Sequence, residues 1–470
     1  MSNMEKANGA ETSTHAPLNS EIRTHKVTFH PALQLSREES TASSSEASPN
    51  KNQLQLGELV VLLSKQIAIS GGGTTIYEGL YENEPVAVKR ILKSHYDLAP
   101  REVENFEAFK HHQNIVKYYG MAENEDFYYL ALERCDCDLS KLIQPSNEIL
   151  GDRRLWVEKE NRPSALLLKL MRDIVSGLVF LHELGMVHRD LKPQNVLILK
   201  EKSTFCAKVS DMGISRKLGA NMSSLSNHPA TIGTGTTGWK SKEWLDFKQQ
   251  TPAVDLFNLG CLLFFCITGG MHPFGEDDYC NTNIRNENAV NLSSIKNFPE
   301  ALHLISLLLN AAYELRPKAT QVLHHPLFWD AKTRLFFLRD TSHRVSENSD
   351  LLKALESTAG EVLRKETICL ANVVVSWNKT IDDDIIKHIL KYEEGGYNFS
   401  SVRDLLRLIR NILRHYEQLP DNIKNRVGSL HEGLDDYFRR QFPELLIEVY
   451  KVAYPYYRDY EYYKKYFERE

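Results

Sequence analysis

Three short stretches carry side chains whose types and spacing suit chemistry on phosphate. HRDLKPQN runs from His188 to Asn195. Its Asp190 can accept the proton of an attacking hydroxyl, Lys192 can neutralise a phosphoryl group in transfer, and Asn195 can ligate magnesium. SDMG offers Asp211 as a second metal ligand, because a hard cation takes oxygen donors and bridges phosphates. VAVK ends on Lys89, an ammonium able to hold α- and β-phosphates, and Glu102 in REVENFEAF can orient it through an ion pair. Alone, SDMG reads more often as a turn, and VAVK as a core strand with a surface lysine. HRDLKPQN is more specific, because eight defined positions seldom coincide.

The elements that must position these groups follow the same order. LGELVVLL, TTIYEGLY, EPVAVKRIL and DFYYLALER are strand-like runs separated by turn residues. A helical stretch is expected around 101–110. After Ser164, ALLLKLMRDIVSGLVFLHELG repeats apolar residues at helical spacing. In this order and spacing, the motifs resemble the protein kinase family over roughly residues 58–328. The resemblance places Asp255 on a buried helix and pairs Arg316 with Glu243. It counts Glu133 and Cys135 among the nucleotide-binding residues, and implies ATP or ADP with Mg2+, the metal held by Asn195 and Asp211.

The match departs from the family pattern at three places. The glycine-loop positions hold Ala68, Ser70 and Gly73, with Gly71 and Gly72 keeping the loop flexible. Met212 stands where phenylalanine is usual, and Ser241-Lys242-Glu243 replaces A-P-E. None of these removes a charged catalytic group. Between Asp211 and Glu243, NMSSLSNH supplies Ser223, Ser224 and Ser226 as candidate phosphorylation sites, whose phosphate can pair with Arg189.

The 470 residues suffice for two or three domains, and 42% hydrophobic with 25% charged residues describes an ordinary globular chain. A net charge of −5 excludes a whole-chain field for nucleic acid, so any such site must be a local patch. Seven scattered cysteines fit reduced thiols. The N-terminus has no apolar core of a secretory signal, and the longest apolar stretch, Leu259 to Thr268, is too short for the ~20 residues that span a bilayer. Residues 1–54, rich in Ser, Thr, Asn, Glu and Pro, read as disordered. An α+β class follows: a bilobal kinase fold over 55–328, then an all-α unit over 329–467.

That second unit holds SVRDLLRLIRNILRHY, Ser401 to Tyr416. Val402, Leu405, Leu406, Ile409 and Leu413 form an apolar helical face. Arg403, Arg407, Arg410, Asn411, Arg414 and His415 fall on the other side, with Asn411 and His415 four apart on one stripe. Arginines bind a phosphodiester backbone and stabilise charge at phosphorus, and an imidazole exchanges a proton near neutral pH. A solvated basic face with a chance histidine has the same pattern, and the pattern alone favours it.

KYEEGGYNFSSVRDLLRLIRNILRHYEQLP, with DTSHRVSE (Asp340 to Glu347) and FPELLIEVYKVAY, is similar to the nuclease signature of the inositol-requiring kinase/endoribonuclease family of the unfolded protein response. RNase L carries a relative of it, and SDMGIS looks most like plant members. The likeness covers about residues 56–467. It implies a kinase-extension nuclease domain that cuts RNA without metal, the 2′-hydroxyl attacking to leave a 2′,3′-cyclic phosphate. His415 would be general acid, Tyr397 would help remove the 2′-proton, and Arg410 and Asn411 would hold the scissile phosphate. In EEGGYNFS the two glycines precede Tyr397, whereas family members usually have them after it. The resemblance further implies a stem-loop RNA substrate, not DNA. It implies nucleotide-favoured pairing into a homodimer or higher oligomer, or with related kinases, and phosphorylation of its own partner. A regulatory pseudokinase is the alternative. Family members carry a lumenal sensor and a membrane span that this sequence lacks. The expectation is therefore a cytoplasmic or nuclear protein, reaching the endoplasmic reticulum membrane only through a partner.

Overall fold

A computed structural model describes residues 52–69, 74–93, 112–144, 148–157, 162–202, 204–211, 238–248, 251–363, 376–392 and 395–468, and the backbone of 216–217. The expected disordered segment up to residue 51, the helix expected around 101–110, and Gly71, Gly73, Glu102, Met212, Ser223, Ser224 and Ser226 lie outside these residues. Gln53 and Leu54, assigned from sequence to the N-terminal segment, lie in the first strand.

The chain divides into two compact units. The first is built on a six-stranded sheet, ordered β1-β2-β3-β4-β6-β5. Its strands are β1 (Gln53–Leu56), β2 (Leu59–Ile69), β3 (Thr75–Tyr81), β4 (Glu84–Leu92), β5 (Tyr118–Glu123) and β6 (Phe127–Glu133). Alternation decides which face is buried. Leu59, Val61, Tyr77, Val86, Val88, Tyr129 and Ala131 form the core. Gly79 sits where no side chain fits, since a Cβ there would meet Val60 O and Val88 Cγ2, each at 2.5 Å.

The second unit is mainly helical. Helix α1 (Ala165–Glu183) buries Leu167, Leu170, Met171, Ile174, Val175, Leu178 and Leu181, the stripe read from sequence, and Ser164 caps its N-terminus by accepting from Leu167 N. Helix α2 (Ala253–Thr268) is apolar nearly all round and largely buried, which is why it holds the longest apolar stretch of the sequence. It stops at Gly269, whose φ of +74° suits glycine. Among the described residues no helix is long and apolar enough to cross a membrane.

From Asp330, which caps α3 (Ala331–Val345), the described residues are all helix and loop. Helices α4 (Ser349–Glu356), α5 (Val402–Arg414) and α6 (Leu445–Tyr457) share one core with α3, including Leu335, Phe337, Leu351, Leu355, Trp377, Leu405, Ile409 and Val449. Each such side chain taken fully out of water contributes about 1.5–3 kcal/mol. Two buried polar ties join this helical extension to the segment before it. Arg334 pairs with Glu300 at 2.6 Å and Asp435 at 3.1 Å. His303 and His325 share a 2.9 Å hydrogen bond, and both rings lie edge-on to Tyr450.

Candidate functional site

The first candidate site begins with a pinned loop. Asp255, buried on α2, accepts from the backbone N–H of His188 at 2.8 Å and of Arg189 at 2.7 Å, and hydrogen bonds His182 Nε2 at 3.0 Å. Burial alone would raise its pKa, but the bond to His182 and the neighbouring cationic and N–H groups hold it below the ordinary carboxylate value. Arg189 is thereby kept at a φ of +73°, a strain of roughly 1–3 kcal/mol in a residue with a Cβ. The His188 ring, itself buried, hydrogen bonds Ser210 O at 2.9 Å.

On this loop the predicted residues converge. Lys192 Nζ donates to Asp190 Oδ2 at 2.6 Å, and Asn195 Nδ2 donates to Asp190 O at 2.7 Å and Oδ2 at 2.9 Å. Both amide protons of Asn195 point to Asp190, so its amide oxygen is the atom left to serve a cation. Ser210 N donates to Asn195 O at 2.9 Å, which brings Asp211 next in line, exposed and at a φ of +58°. An amide oxygen and a carboxylate fit a magnesium ion, which keeps waters and phosphate oxygens for its remaining positions.

Arg316 grips Glu243 with two bonds, 2.6 and 3.0 Å, as sequence proposed. Lys240 was not foreseen. Its Nζ lies 3.0 Å from the Trp244 ring centroid, and burial pulls its pKa down to about 8 against the opposing pull of Asp190. Nothing in its sequence context marks it, since its neighbours come from the fold.

The remaining expected residues fare differently. Lys89 lies on β4, on the face opposite Val86 and Val88. The Glu133 carboxylate is spent in a buried ion pair with Lys208 at 3.1 Å and also accepts from Lys117 N at 3.2 Å, so it can meet a nucleotide only through its backbone. Burial first, then Glu133, pushes the Cys135 thiol pKa up, keeping it protonated.

The second candidate site is built on α5. Ser401 caps the helix by accepting from Asp404 N at 3.1 Å. Glu356, from the end of α4, accepts from Ser401 Oγ at 2.6 Å, Val402 N at 3.1 Å and Arg403 N at 3.2 Å. A carboxylate on free N–H groups at a helix N-terminus also meets the positive end of its dipole. Sequence reasoning missed Glu356 because its partners lie some 45 residues away. The buried face is wider than expected: Leu408 and Ile412 are buried with Val402, Leu405, Leu406 and Ile409, while Leu413 is only partly so. Both α3 and α4 pack against α5.

The polar stripe is organised from Tyr397. Asn411 Nδ2 donates to Tyr397 Oη at 3.0 Å, and the Arg407 guanidinium lies 4.3 Å from the tyrosine ring centroid. Arg407 also donates to Gly396 O and pairs with Asp404 at 3.4 Å. Gly396, at a φ of +61°, makes the turn that delivers the tyrosine. Trp377, fully buried, meets the Tyr397 ring edge-on and donates to Ser401 O at 3.1 Å. His415 N donates to Asn411 O at 3.0 Å, which sets the two residues one above the other as the spacing implied. There the helix ends, leaving the His415 ring exposed with Nδ1 3.0 Å from Gln418 Oε1. Arg410 is half-buried on the adjoining stripe, with Arg414 exposed beyond it.

Residues 67–328 match the protein kinase domain, and residues 334–467 match ribonuclease 2-5A. The serine/threonine-protein kinase/endoribonuclease IRE1b of Arabidopsis thaliana is 45% identical over 88% of this chain and 48% of its own length. The rice protein IRE1, with the same description, is 45% identical over 91% and 48%. An inactive serine/threonine-protein kinase/endoribonuclease IRE1-like protein of Arabidopsis thaliana is 34% identical over 98% of this chain and 87% of its own length. The chain thus spans about half the length of the first two.

Proposed function

The chain belongs to the serine/threonine-protein kinase/endoribonuclease family, and from that premise we propose that it carries both activities: an autophosphorylating kinase over 55–328 and an endoribonuclease over 329–467. The observation that carries the reading is the hydrogen bond from Asn411 of α5 to the phenol of Tyr397, with His415 one helical turn beyond Asn411 and arginines alongside. Solvated basic faces seldom organise themselves this way.

In the kinase reaction Asp190 orients the attacking hydroxyl and takes its proton, while Lys192 offsets charge on the phosphoryl group. Asn195 and Asp211 would hold magnesium, which would supply charge neutralisation at the phosphates, and Lys89 would hold the α- and β-phosphates. In the nuclease reaction Arg410 and Asn411 hold the scissile phosphate and His415 protonates the departing 5′-oxygen, with no metal required. The need for a 2′-hydroxyl confines the activity to RNA. ATP or ADP favours a dimer in which the kinase phosphorylates its partner and the paired nuclease domains take a stem-loop RNA.

A second reading has one specific support: a relative of which this chain covers 87% is named inactive. A nucleotide-binding regulator of active relatives would share this architecture. The assembled Asp190–Lys192–Asn195 cluster favours the first reading.

The test is incubation of the protein with a stem-loop RNA and ADP, with and without chelator, beside His415→Ala. Cleavage that persists in chelator, ends in cyclic phosphate and vanishes in the variant supports the dual enzyme. No cleavage at high protein concentration with nucleotide bound moves the weight to the regulator.

A further inference from the structure

Arg407 stands on the stripe of α5 that also carries Asn411 and His415, each four residues after the last. Its residue type suggests an arginine for the phosphodiester backbone, but its charge is used inside the fold. Nη2 donates to Gly396 O, Nη1 lies 3.4 Å from Asp404 Oδ1, and the guanidinium carbon sits 4.3 Å from the centre of the Tyr397 ring. The side chain is only 20% exposed.

These contacts converge on one short turn. Arg407 holds Gly396 through its carbonyl, and Asp404 holds Asn398 through its N–H, which Oδ2 accepts at 2.7 Å. The residues before and after Tyr397 are thus tied to α5 by two side chains that also pair with each other. Between these ties the tyrosine ring has the Arg407 guanidinium against it and meets Trp377 edge-on. Its oxygen then receives Asn411 Nδ2 at 3.0 Å. A planar guanidinium can stack on a ring and reach two acceptors at once, which a lysine ammonium cannot.

We infer that Arg407 is a positioning residue of the nuclease site: it acts on RNA cleavage through Tyr397, fixing the phenol against Asn411, and does not bind the RNA backbone. The inference rests on the nuclease reading. It divides the arginines of α5 by role. Arg410 serves the scissile phosphate in that reading, whereas the Arg407 charge is answered by Asp404. An arginine that neutralises a phosphate releases counterions and steepens the salt dependence of binding, and one spent inside the fold does not. Misplacing a reacting group by ~1 Å costs roughly 10²-fold in rate, so the loss of this clasp falls on the chemical step.

The test uses the whole protein and one stem-loop RNA in single-turnover cleavage. The same RNA with a 2′-deoxy nucleotide at the cut reports equilibrium binding across a salt series. Arg407→Gln and Arg407→Lys should each cleave roughly 10²-fold more slowly than the parent at saturating protein, with the parent's Kd and salt slope. Arg410→Gln, the backbone-contact control, should bind more weakly and lower the salt slope by about 1. Arg407→Gln combined with Tyr397→Phe should be no slower than Tyr397→Phe alone, because residues acting as one unit do not add. A merely structural loss at Arg407 would multiply with the Tyr397 loss, and an RNA contact would lower the salt slope. Either result overturns the inference, as does cleavage by Arg407→Gln within about threefold of the parent. A parent that binds the RNA and leaves it intact overturns the nuclease reading beneath it.

Discussion

The loop from His188 to Asn195 and the helix from Val402 to Arg414 position their reactive groups in opposite ways. On the loop, Asp190, Lys192 and Asn195 hold one another, and Asp255 fixes the backbone from beneath. On α5 the backbone needs no such device, since the helix sets the spacing. The outside help arrives at its ends: Glu356 at the N-terminus and the Gly396–Tyr397 turn alongside. A loop site must carry its own scaffolding and therefore shows as a dense motif. A helix site borrows its scaffold from the core and shows only as a polar stripe.

The comparison predicts which changes are local and which are shared. The largest effect is expected at the proton-transfer groups. His415→Ala should reduce RNA cleavage by roughly 10²–10⁴-fold while leaving autophosphorylation intact, and Asp190→Asn should do the reverse to autophosphorylation. Measuring both activities on both variants checks this; a variant that loses both would show the two regions are not separable.

Arg334→Ala should cost about 3–5 kcal/mol, because it leaves the Glu300 and Asp435 carboxylates buried without their cation. Urea denaturation would register it as one cooperative loss across the kinase and nuclease segments. Separate transitions would argue that the junction does not couple them.

Glu356→Gln should cost about 1–2 kcal/mol, since the amide keeps an acceptor for the α5 N–H groups but loses the charge. Cleavage should fall with it and autophosphorylation should not.

The smallest effect concerns pH. Burial brings the His303 pKa down to about 4, with Lys451 adding, and holds His325 well below its ordinary value. Unfolded imidazoles titrate near ~6.5. The stability this pair contributes is therefore complete above that pH and is lost as pH falls toward 4, where the unfolded state binds the extra protons. Leu327 N donates to His325 Nδ1, so His325 gives its Nε2 proton to His303 and neither ring can take another without breaking a bond. Melting points between pH 7 and 4 should fall less steeply in His303→Asn than in the parent.

Much of the fold was legible. The α1 stripe and the strand alternation lie in contiguous residues, so burial could be read from periodicity. The wider buried face of α5, with Leu408 and Ile412, was not, because α5 packs against α3 and α4, elements distant in the sequence. Glu133 could not be known to serve Lys208, and Lys240 gave no sign of its place beside Trp244 and Asp190.

Local order along the chain determined the reactive groups: HRDLKPQN spaced Asp190, Lys192 and Asn195 within one turn of loop, and the helical repeat put Asn411 four residues before His415. Tertiary structure alone decided what surrounds them. Glu356 reaches the start of α5, and Arg334 spans Glu300 and Asp435. The reason is physical: spacing within an element follows from backbone geometry, whereas partners across elements follow from how apolar faces pack, which no single stretch of sequence contains.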